Sequence, residues 1–331
     1  MKTLYYTQYG QPDVLQFRDI PRPEPKANEL LVRVTFTSVN RTDSATIRGI
    51  PFIAKLFTGL FGPRKKTPGS EFAGVVEAVG PAVEGFKPGI RVFGFGDMGS
   101  SSHAEYLCVK ETNVLALSVG LSEAHAAAGT EGFHYALNNI NKSPLVAGQK
   151  ALVYGATGAI GSAGVQILKS MGLWVTAVGN TRNQEMLKSL GADKVVDYEQ
   201  EDFTADDLRY DVILDAVGKV SFFKCFRLLN RGGFYISSDL GYLNQNVFLP
   251  MITPLISPLL GGRRTRFPFP VNIKGSLLLI EKLAAEGRYK PVLDREFPFD
   301  DIIEAYRYVQ TGQKTGNVLI RMVPEKSPER V

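Results

Sequence analysis

Ala151-Leu152-Val153-Tyr154-Gly155-Ala156-Thr157-Gly158-Ala159-Ile160-Gly161-Ser162-Ala163-Gly164 runs an apolar stretch straight into spaced glycines. It reads as a strand, a tight turn and the first turns of a helix. Gly155 permits the turn, a missing side chain lets backbone approach an anion, and Gly161 allows close helix–strand packing. The helix N-terminus then offers free N–H groups to a phosphate. The spacing departs from GxGxxG, because Ala156-Thr157 separates the first two glycines. The physical requirements are unchanged, and they point to a dinucleotide site at Gly155, Gly158 and Gly161. The plain alternative is a tight strand–helix turn that holds no ligand.

Working outward, strands and helices alternate from Lys150 onward. A helix through Gly164 to Met171 precedes the strand at Trp174, and a helix through Asn183 to Leu190 precedes the strand at Lys194. Asp211 to Gly218, a helix from Val220 and the strand from Gly232 follow. This alternation predicts a parallel sheet covered by helices on both faces. The end of the second strand selects the dinucleotide. An NAD enzyme places Asp or Glu about 20 residues after the turn, to accept from the ribose 2′-OH. Here Val178 runs into Gly179-Asn180-Thr181-Arg182-Asn183, and no acid appears until Glu185. Nothing at this point repels a 2′-phosphate, and Arg182 offers a charge-assisted bond to it. The reading is NADP. The alternative for Arg182 is a solvated helix-start residue.

The first 120 residues have another texture. Glu29 to Thr37, Phe72 to Val79 and Arg91 to Gly94 read as strands, punctuated by Gly80-Pro81 and Phe86-Lys87-Pro88-Gly89. Closely spaced Gly and Pro between short strands predict a barrel-like, β-rich domain. Ser122 reads as the N-cap of an alanine-rich helix. From Lys274 on the chain carries one or two helices and a terminal strand over Asn317 to Met322. The tail from Pro324 to Val331 is polar and reads as frayed.

Composition narrows the class. The 331 residues are 44% hydrophobic and 21% charged, the balance of a soluble globular protein with room for two domains. A formal charge of +5 is mild for this length. Arg64-Lys65-Lys66 and Arg263-Arg264 are too short to form a nucleic-acid stripe, so no nucleic-acid partner is expected. Two cysteines, Cys108 and Cys225, give neither a disulfide framework nor a metal-binding spacing. The first ten residues lack the apolar core of a signal peptide, and the expected address is the cytoplasm. Val247 to Leu260 is apolar but too short to span a membrane, and it carries Pro250, Pro254 and Pro258. It is expected to be an irregular segment packed on the protein itself. A contribution to a flat hydrophobic substrate site is the other reading.

Several further motifs stand in a fixed order. They are Val39-Asn40-Arg41-Thr42-Asp43, Pro68-Gly69-Ser70-Glu71-Phe72-Ala73-Gly74-Val75-Val76 and Gly85-Phe86-Lys87-Pro88-Gly89-Ile90-Arg91-Val92. After the glycine turn come Leu190-Gly191-Ala192-Asp193 and Asp215-Ala216-Val217-Gly218. With them the chain, from Met1 to about Met322, resembles the medium-chain dehydrogenase/reductase superfamily, most closely its zinc-free quinone oxidoreductase branch. The resemblance implies a GroES-like catalytic domain over 1–121 and 267–331 and a Rossmann NADPH-binding domain over 122–266. It places Thr157, Gly158, Ala159 and Ile160 on the pyrophosphate. Asn180, Thr181, Arg182 and Tyr198 then belong near the 2′-phosphate. Ala216, Val217, Gly218, Ser238, Asp239 and Leu240 flank the nicotinamide and its ribose. Thr130 and Asn40 border the ring, and Asn317 matches a cofactor contact of some relatives. Zinc members carry Cys where Asn40 stands and His where Ser70 stands, so no zinc is expected. A homodimer or tetramer is the family analogy only.

A nicotinamide delivers hydride to an electrophilic carbon. Without a Lewis acid, acceptors that spread the resulting charge are expected: quinones and α,β-unsaturated carbonyls. Asn40 reads either as a donor to the developing oxygen charge or as a buried loop residue holding backbone. Asp43 reads as an orienting or capping carboxylate. His103, His125 and His134 read as structural. Phe52, Phe57 and Phe61 line a substrate mouth or pack the barrel. An NADP-dependent alcohol or aldehyde reductase, and a non-catalytic NADPH-binding relative, stay open as alternatives.

Overall fold

The computed structural model describes residues 1–52, 55–96, 100–118, 120–237, 239–269 and 271–322. Among the described residues the chain begins with β1 (Lys2–Tyr5), β2 (Gln16–Asp19), β3 (Glu29–Val39), α1 (Arg41–Arg48), α2 (Lys55–Thr58), β4 (Glu71–Val79), β5 (Arg91–Phe95), β6 (Tyr106–Lys110), β7 (Val114–Ala116) and α3 (Glu123–Ile140). The alternating run follows: β8 (Lys150–Tyr154), α4 (Ala159–Ser170), β9 (Trp174–Gly179), α5 (Gln184–Ser189), β10 (Lys194–Asp197), β11 (Tyr210–Asp215), α6 (Phe222–Cys225), β12 (Leu229–Ser237), α7 (Gln245–Ile256) and β13 (Arg264–Arg266). The chain closes with α8 (Ile273–Ala285), β14 (Leu293–Pro298), α9 (Ile302–Gln310) and β15 (Asn317–Arg321). Two compact units result: Met1–Glu131, Ile273–Ala285 and Lys290–Val331 form one, and Gly132–Asn272 with Glu286–Tyr289 the other.

In the first unit β3 is the spine. It pairs antiparallel with β4, β6 and β15, and the sheet order runs β14-β15-β3-β4-β5-β7. Leu30, Val32, Val34 and Val39 enter the core of this unit with Phe72, Val92 and Tyr306, and Leu31 is buried as well. The sheet is barrel-like without closing. Helix α1 falls where a loop was expected. Ile47 is its one large buried apolar side chain, too little for the periodicity that marks a helix. Its end signals are clear in hindsight: the Asp43 carboxylate accepts from Asn40 N at 2.8 Å, and Gly49 closes the last turn.

The second unit holds a six-stranded parallel sheet of order β10-β9-β8-β11-β12-β13, with an α-helix between successive strands except β10 and β11, which a single 3-10 turn over Phe203–Ala205 joins. This is a doubly wound Rossmann order, and its direction reverses between β8 and β11. Tyr210, Phe222 and Tyr235 are almost fully buried in its core. Burying each such ring contributes about 1.5–3 kcal/mol. Cys225 is buried in the same cluster, and burial pushes its thiol up to about 12. Cys108, half-buried in β6, is raised to about 11 by burial and then by the Glu29 charge.

Two expectations need revision. Val247–Leu260 is not irregular, because most of it lies in α7, which carries Pro250 and Pro254 inside it. Four residues apart, the two prolines lose their N–H bonds on one side of the helix, and the remaining ladder survives. The segment packs on the protein only in part: Leu249 and Leu260 lie against the core of this unit, while Phe248, Met251, Ile252 and Leu255 are exposed. No described helix is long and apolar enough to cross a membrane. Phe52 and Phe61 are exposed. The Phe57 side chain, Ser238 and the tail from Pro324 lie outside the described residues.

Candidate active site

Within the second unit, β8 ends at Gly155, whose φ is +75° and whose Cβ would stand 2.6 Å from Val217 Cγ1. A Cβ on Gly161 would lie 2.2 Å from Gly155 O, so the helix approaches the strand as closely as backbone allows. Gly158 differs. Its φ of −80° suits any residue, and the nearest atom to a Cβ there is Gly155 O at 3.7 Å. Neither packing nor conformation of the chain asks for glycine at this position. It precedes α4, whose first turn is capped by no side chain. An open space above an uncapped helix N-terminus is what a pyrophosphate requires.

The neighbouring loop is fixed by Asp215 at the end of β11. Its buried carboxylate accepts from Val217 N at 3.1 Å, Gly218 N at 2.8 Å and Tyr235 Oη at 2.8 Å. Burial raises it above the usual carboxylate range. Ala216 N donates to Tyr154 O at 3.0 Å, so this loop and the glycine turn share the C-terminal edge of β8 and β11. Asp239 Oδ1 accepts from Gly241 N at 3.0 Å, and Leu240 O accepts from Asn246 N at 3.1 Å.

At the end of β9, Asn180 Oδ1 accepts from Asn183 Nδ2 at 2.6 Å, and Arg182 is exposed. The sequence contains no acid on this strand end, but the fold supplies two from β10 and the turn after it. Thr181 Oγ1 donates to Asp197 Oδ2 at 2.6 Å, and Thr181 N donates to Glu199 Oε2 at 3.0 Å. Tyr198 lies between the two acids in sequence and is half-exposed.

The first unit holds a buried polar cluster centred on Asn40, which is 3% exposed. Asn40 Nδ2 donates to Glu71 Oε1 at 2.8 Å, Ser38 Oγ at 3.1 Å and Glu131 Oε2 at 3.3 Å. Its Oδ1 accepts from Lys314 Nζ at 3.3 Å. Glu71 also accepts from Ser38 Oγ, from Thr130 N at 3.0 Å and from Glu131 N at 2.6 Å. Ser70 Oγ donates to Glu131 Oε2 at 2.9 Å. Thr130 Oγ1 is turned on Ala126 O at 2.8 Å. Burial, and then the charge of Glu131, raises both Asp43 and Glu71, and burial raises Glu131. Burial brings Lys314 down to about 8 against the pull of Glu131 and Glu71. Ionic charge here is costly, and the amide of Asn40 works as a spacer between carboxylates.

Glu71, Glu131 and Lys314 received no role from sequence. Glu131 had one signal, an acid among small and apolar residues of α3; Lys314 had none. Asn317 Nδ2 donates to Val292 O at 3.1 Å, while its Oδ1 is buried without a partner. His103 bridges Ser38 O at 2.8 Å and Tyr306 Oη at 3.1 Å, and burial lowers it to about 4, so it stays neutral. Ser122 Oγ accepts from His125 N at 3.2 Å, as the cap of α3 requires. Among the described residues no group of three or more His, Cys, Asp or Glu side chains is placed to hold a metal ion.

Residues 26–119 match the alcohol dehydrogenase GroES-like domain family, and residues 190–320 match a family described as zinc-binding dehydrogenase. The chain is 31% identical to 2-methylene-furan-3-one reductase of Solanum lycopersicum, over 98% of this chain and 80% of that protein. It is 28% identical to an NADPH-dependent alkenal/one oxidoreductase, chloroplastic, of Arabidopsis thaliana, with the same coverage. The solved structure of the quinone oxidoreductase from Coxiella burnetii superposes with a TM-score of 0.82 at 26% identity, covering 98% of this chain and 99% of the other.

Proposed function

The chain belongs to the medium-chain dehydrogenase/reductase superfamily, in its zinc-free quinone and enone reductase branch, and from that membership we propose that it transfers hydride from NADPH to quinones or α,β-unsaturated carbonyls without a metal ion. The observation that carries the reading is Gly158, a glycine with ordinary backbone and open space at an uncapped helix N-terminus. The acceptors named for the relatives support the substrate class. Bound nicotinamide supplies the hydride.

Thr157, Gly158, Ala159 and Ile160 hold the pyrophosphate, with Gly155 and Gly161 shaping the turn. Ala216, Val217, Gly218, Asp239 and Leu240 flank the nicotinamide side. Asn317 offers its unpartnered Oδ1 as an acceptor. The division of labour follows the sequence reading: residues 1–121 and 267–331 catalytic, 122–266 nucleotide-binding. Asn40 is a positioning residue in this proposal, because its amide hydrogens are turned on carboxylates. Asp43 caps α1, and Thr130 is held beside Glu71 by its backbone. Hydride added to the β-carbon of an enone leaves the electron pair spread over the enolate, and a proton from water completes the product. An isolated carbonyl would concentrate that charge on one oxygen, which demands dedicated donors worth about 3 kcal/mol each.

NADPH oxidation should proceed with a quinone or a conjugated enone, be unchanged by chelators, and exceed the rate of benzyl-alcohol oxidation with NADP. Alcohol oxidation without quinone or enone turnover would favour an alcohol dehydrogenase. Cofactor titration without turnover, or one bound zinc per chain, would also count against the proposal.

The 2′-phosphate is assigned to Asn180, Thr181 and Arg182, with Tyr198 beside them. NADPH should bind about tenfold tighter than NADH, a difference of ~1.4 kcal/mol. Arg182→Ala should weaken NADPH and spare NADH. Glu199→Gln should strengthen NADPH severalfold, because it removes a carboxylate next to Thr181. Equal dissociation constants for the two cofactors in the parent protein would refute this assignment.

A further inference from the structure

Helix α7 turns Leu249 toward the core but most of its large apolar side chains outward. Its buried side chains are polar: Asn246, Thr253 and, one residue past the end, Ser257. Asn246 Nδ2 donates to Asp239 O at 2.9 Å, and Thr253 Oγ1 accepts from Thr265 N at 3.0 Å. These bonds lock the orientation of the helix. Its outward side chains are Phe248, Met251, Ile252 and Leu255, followed by Leu259 in the next turn. They follow the i, i+3, i+4, i+7, i+11 spacing of a single helical face. Met251 is 71%, Leu255 81% and Leu259 88% exposed, and Tyr242 and Leu243 prolong the face at its other end. No charged residue interrupts the chain from Leu240 to Gly262. A contiguous apolar face of this size marks a binding surface.

The end of the face meets three arginines. Arg263 Nε donates to Leu229 O at 3.0 Å, and its guanidinium lies 4.7 Å from the centre of the Phe226 ring. A Cβ on Gly261 would stand 2.9 Å from Arg263 Nη1 and 3.8 Å from Arg231 Cγ. Arg209 Nη1 donates to the carbonyls of Asp207 at 2.9 Å and Leu208 at 3.0 Å. Burial, and then the like charges of Arg231 and Arg209, hold Arg263 below its ordinary range. Among the described residues none of the three is ion-paired with a carboxylate.

We propose that this face docks on an anionic lipid bilayer, with the apolar side chains of α7 entering the headgroup–acyl boundary and Arg209, Arg231 and Arg263 meeting lipid phosphates. An uncharged apolar helix face bordered by cations is the composition of a monotopic surface. A second copy of the chain would cover the apolar residues, but its own α7 carries no carboxylate to answer the arginines. Lipid phosphates do answer them. The proposal is independent of the reaction assigned above.

The full chain should co-sediment with vesicles of phosphatidylcholine and phosphatidylglycerol, and roughly tenfold or more weakly with phosphatidylcholine alone. Met251→Glu with Leu255→Glu should abolish sedimentation. Arg209→Gln with Arg231→Gln should reduce it roughly tenfold and lower its salt sensitivity. Circular dichroism and NADPH titration check that both variants are folded. Failure to sediment with either vesicle, or equal binding to both that survives the glutamates, would overturn the proposal. A dimer in sedimentation velocity that the glutamates convert to monomer, with no vesicle binding, would assign the face to a second copy instead.

Discussion

Gly158→Leu should raise the NADPH dissociation constant by about 100-fold or more, ~2.7 kcal/mol, while the protein stays folded. The substituted side chain meets no protein atom closer than 3.7 Å at its Cβ, and φ of −80° accommodates it. Losing glycine at a helix N-cap costs about 1 kcal/mol, a shift of roughly 4 °C in unfolding temperature. Gly161→Ala makes the opposite contrast. Its Cβ would stand 2.2 Å from Gly155 O, so backbone must move, and the loss of about 1–3 kcal/mol appears with or without cofactor. Isothermal titration and thermal unfolding of the two variants separate the roles. A Gly158→Leu protein that binds NADPH like the parent would remove the pyrophosphate from this turn, and the proposed reaction with it.

Asn40→Asp should cost on the order of 3 kcal/mol at pH 8 and much less at pH 5. The substitution keeps the shape and places a fourth carboxyl among Asp43, Glu71 and Glu131, which burial already raises. In the folded protein the new carboxyl must keep its proton, so its pKa lies above the unfolded value. Its contribution is then favourable at low pH and is lost as pH rises through the folded value. Each pH unit over which only the native state holds that proton changes stability by ~1.4 kcal/mol. Unfolding temperatures across pH 5 to 8 read the slope directly. A defect of equal size at both ends would mean that the cluster tolerates charge and that the Asn40 amide does not separate its carboxylates.

What sequence could reveal follows from how local each cause is. The β8 turn was legible because strand, glycines and helix lie within one short stretch, each residue type answering one steric demand. β3 and β4 were legible because their apolar runs are continuous. Glu71 and Glu131 were not, since they lie 60 residues apart and meet only through the Glu131 N–H and the amide of Asn40. Asp197 and Glu199 escaped for the same reason. The end of β9 carries no acid of its own, and the parallel register sets Asp197 beside Gly179 from the adjacent strand. Helix α7 misled differently. Pattern reading assumes that apolar faces turn inward, and here Asn246 and Thr253 turn inward instead.

The two thiols have a consequence for a protein that handles soft electrophiles. Quinones and conjugated enals arylate or alkylate cysteine, and the attacking species is the thiolate. Cys108 is raised to about 11 and Cys225 to about 12, chiefly by burial, so both stay thiols at neutral pH. The chain contains no other cysteine. Its own substrates therefore meet both thiols in the protonated form, and alkylation at cysteine is slowed.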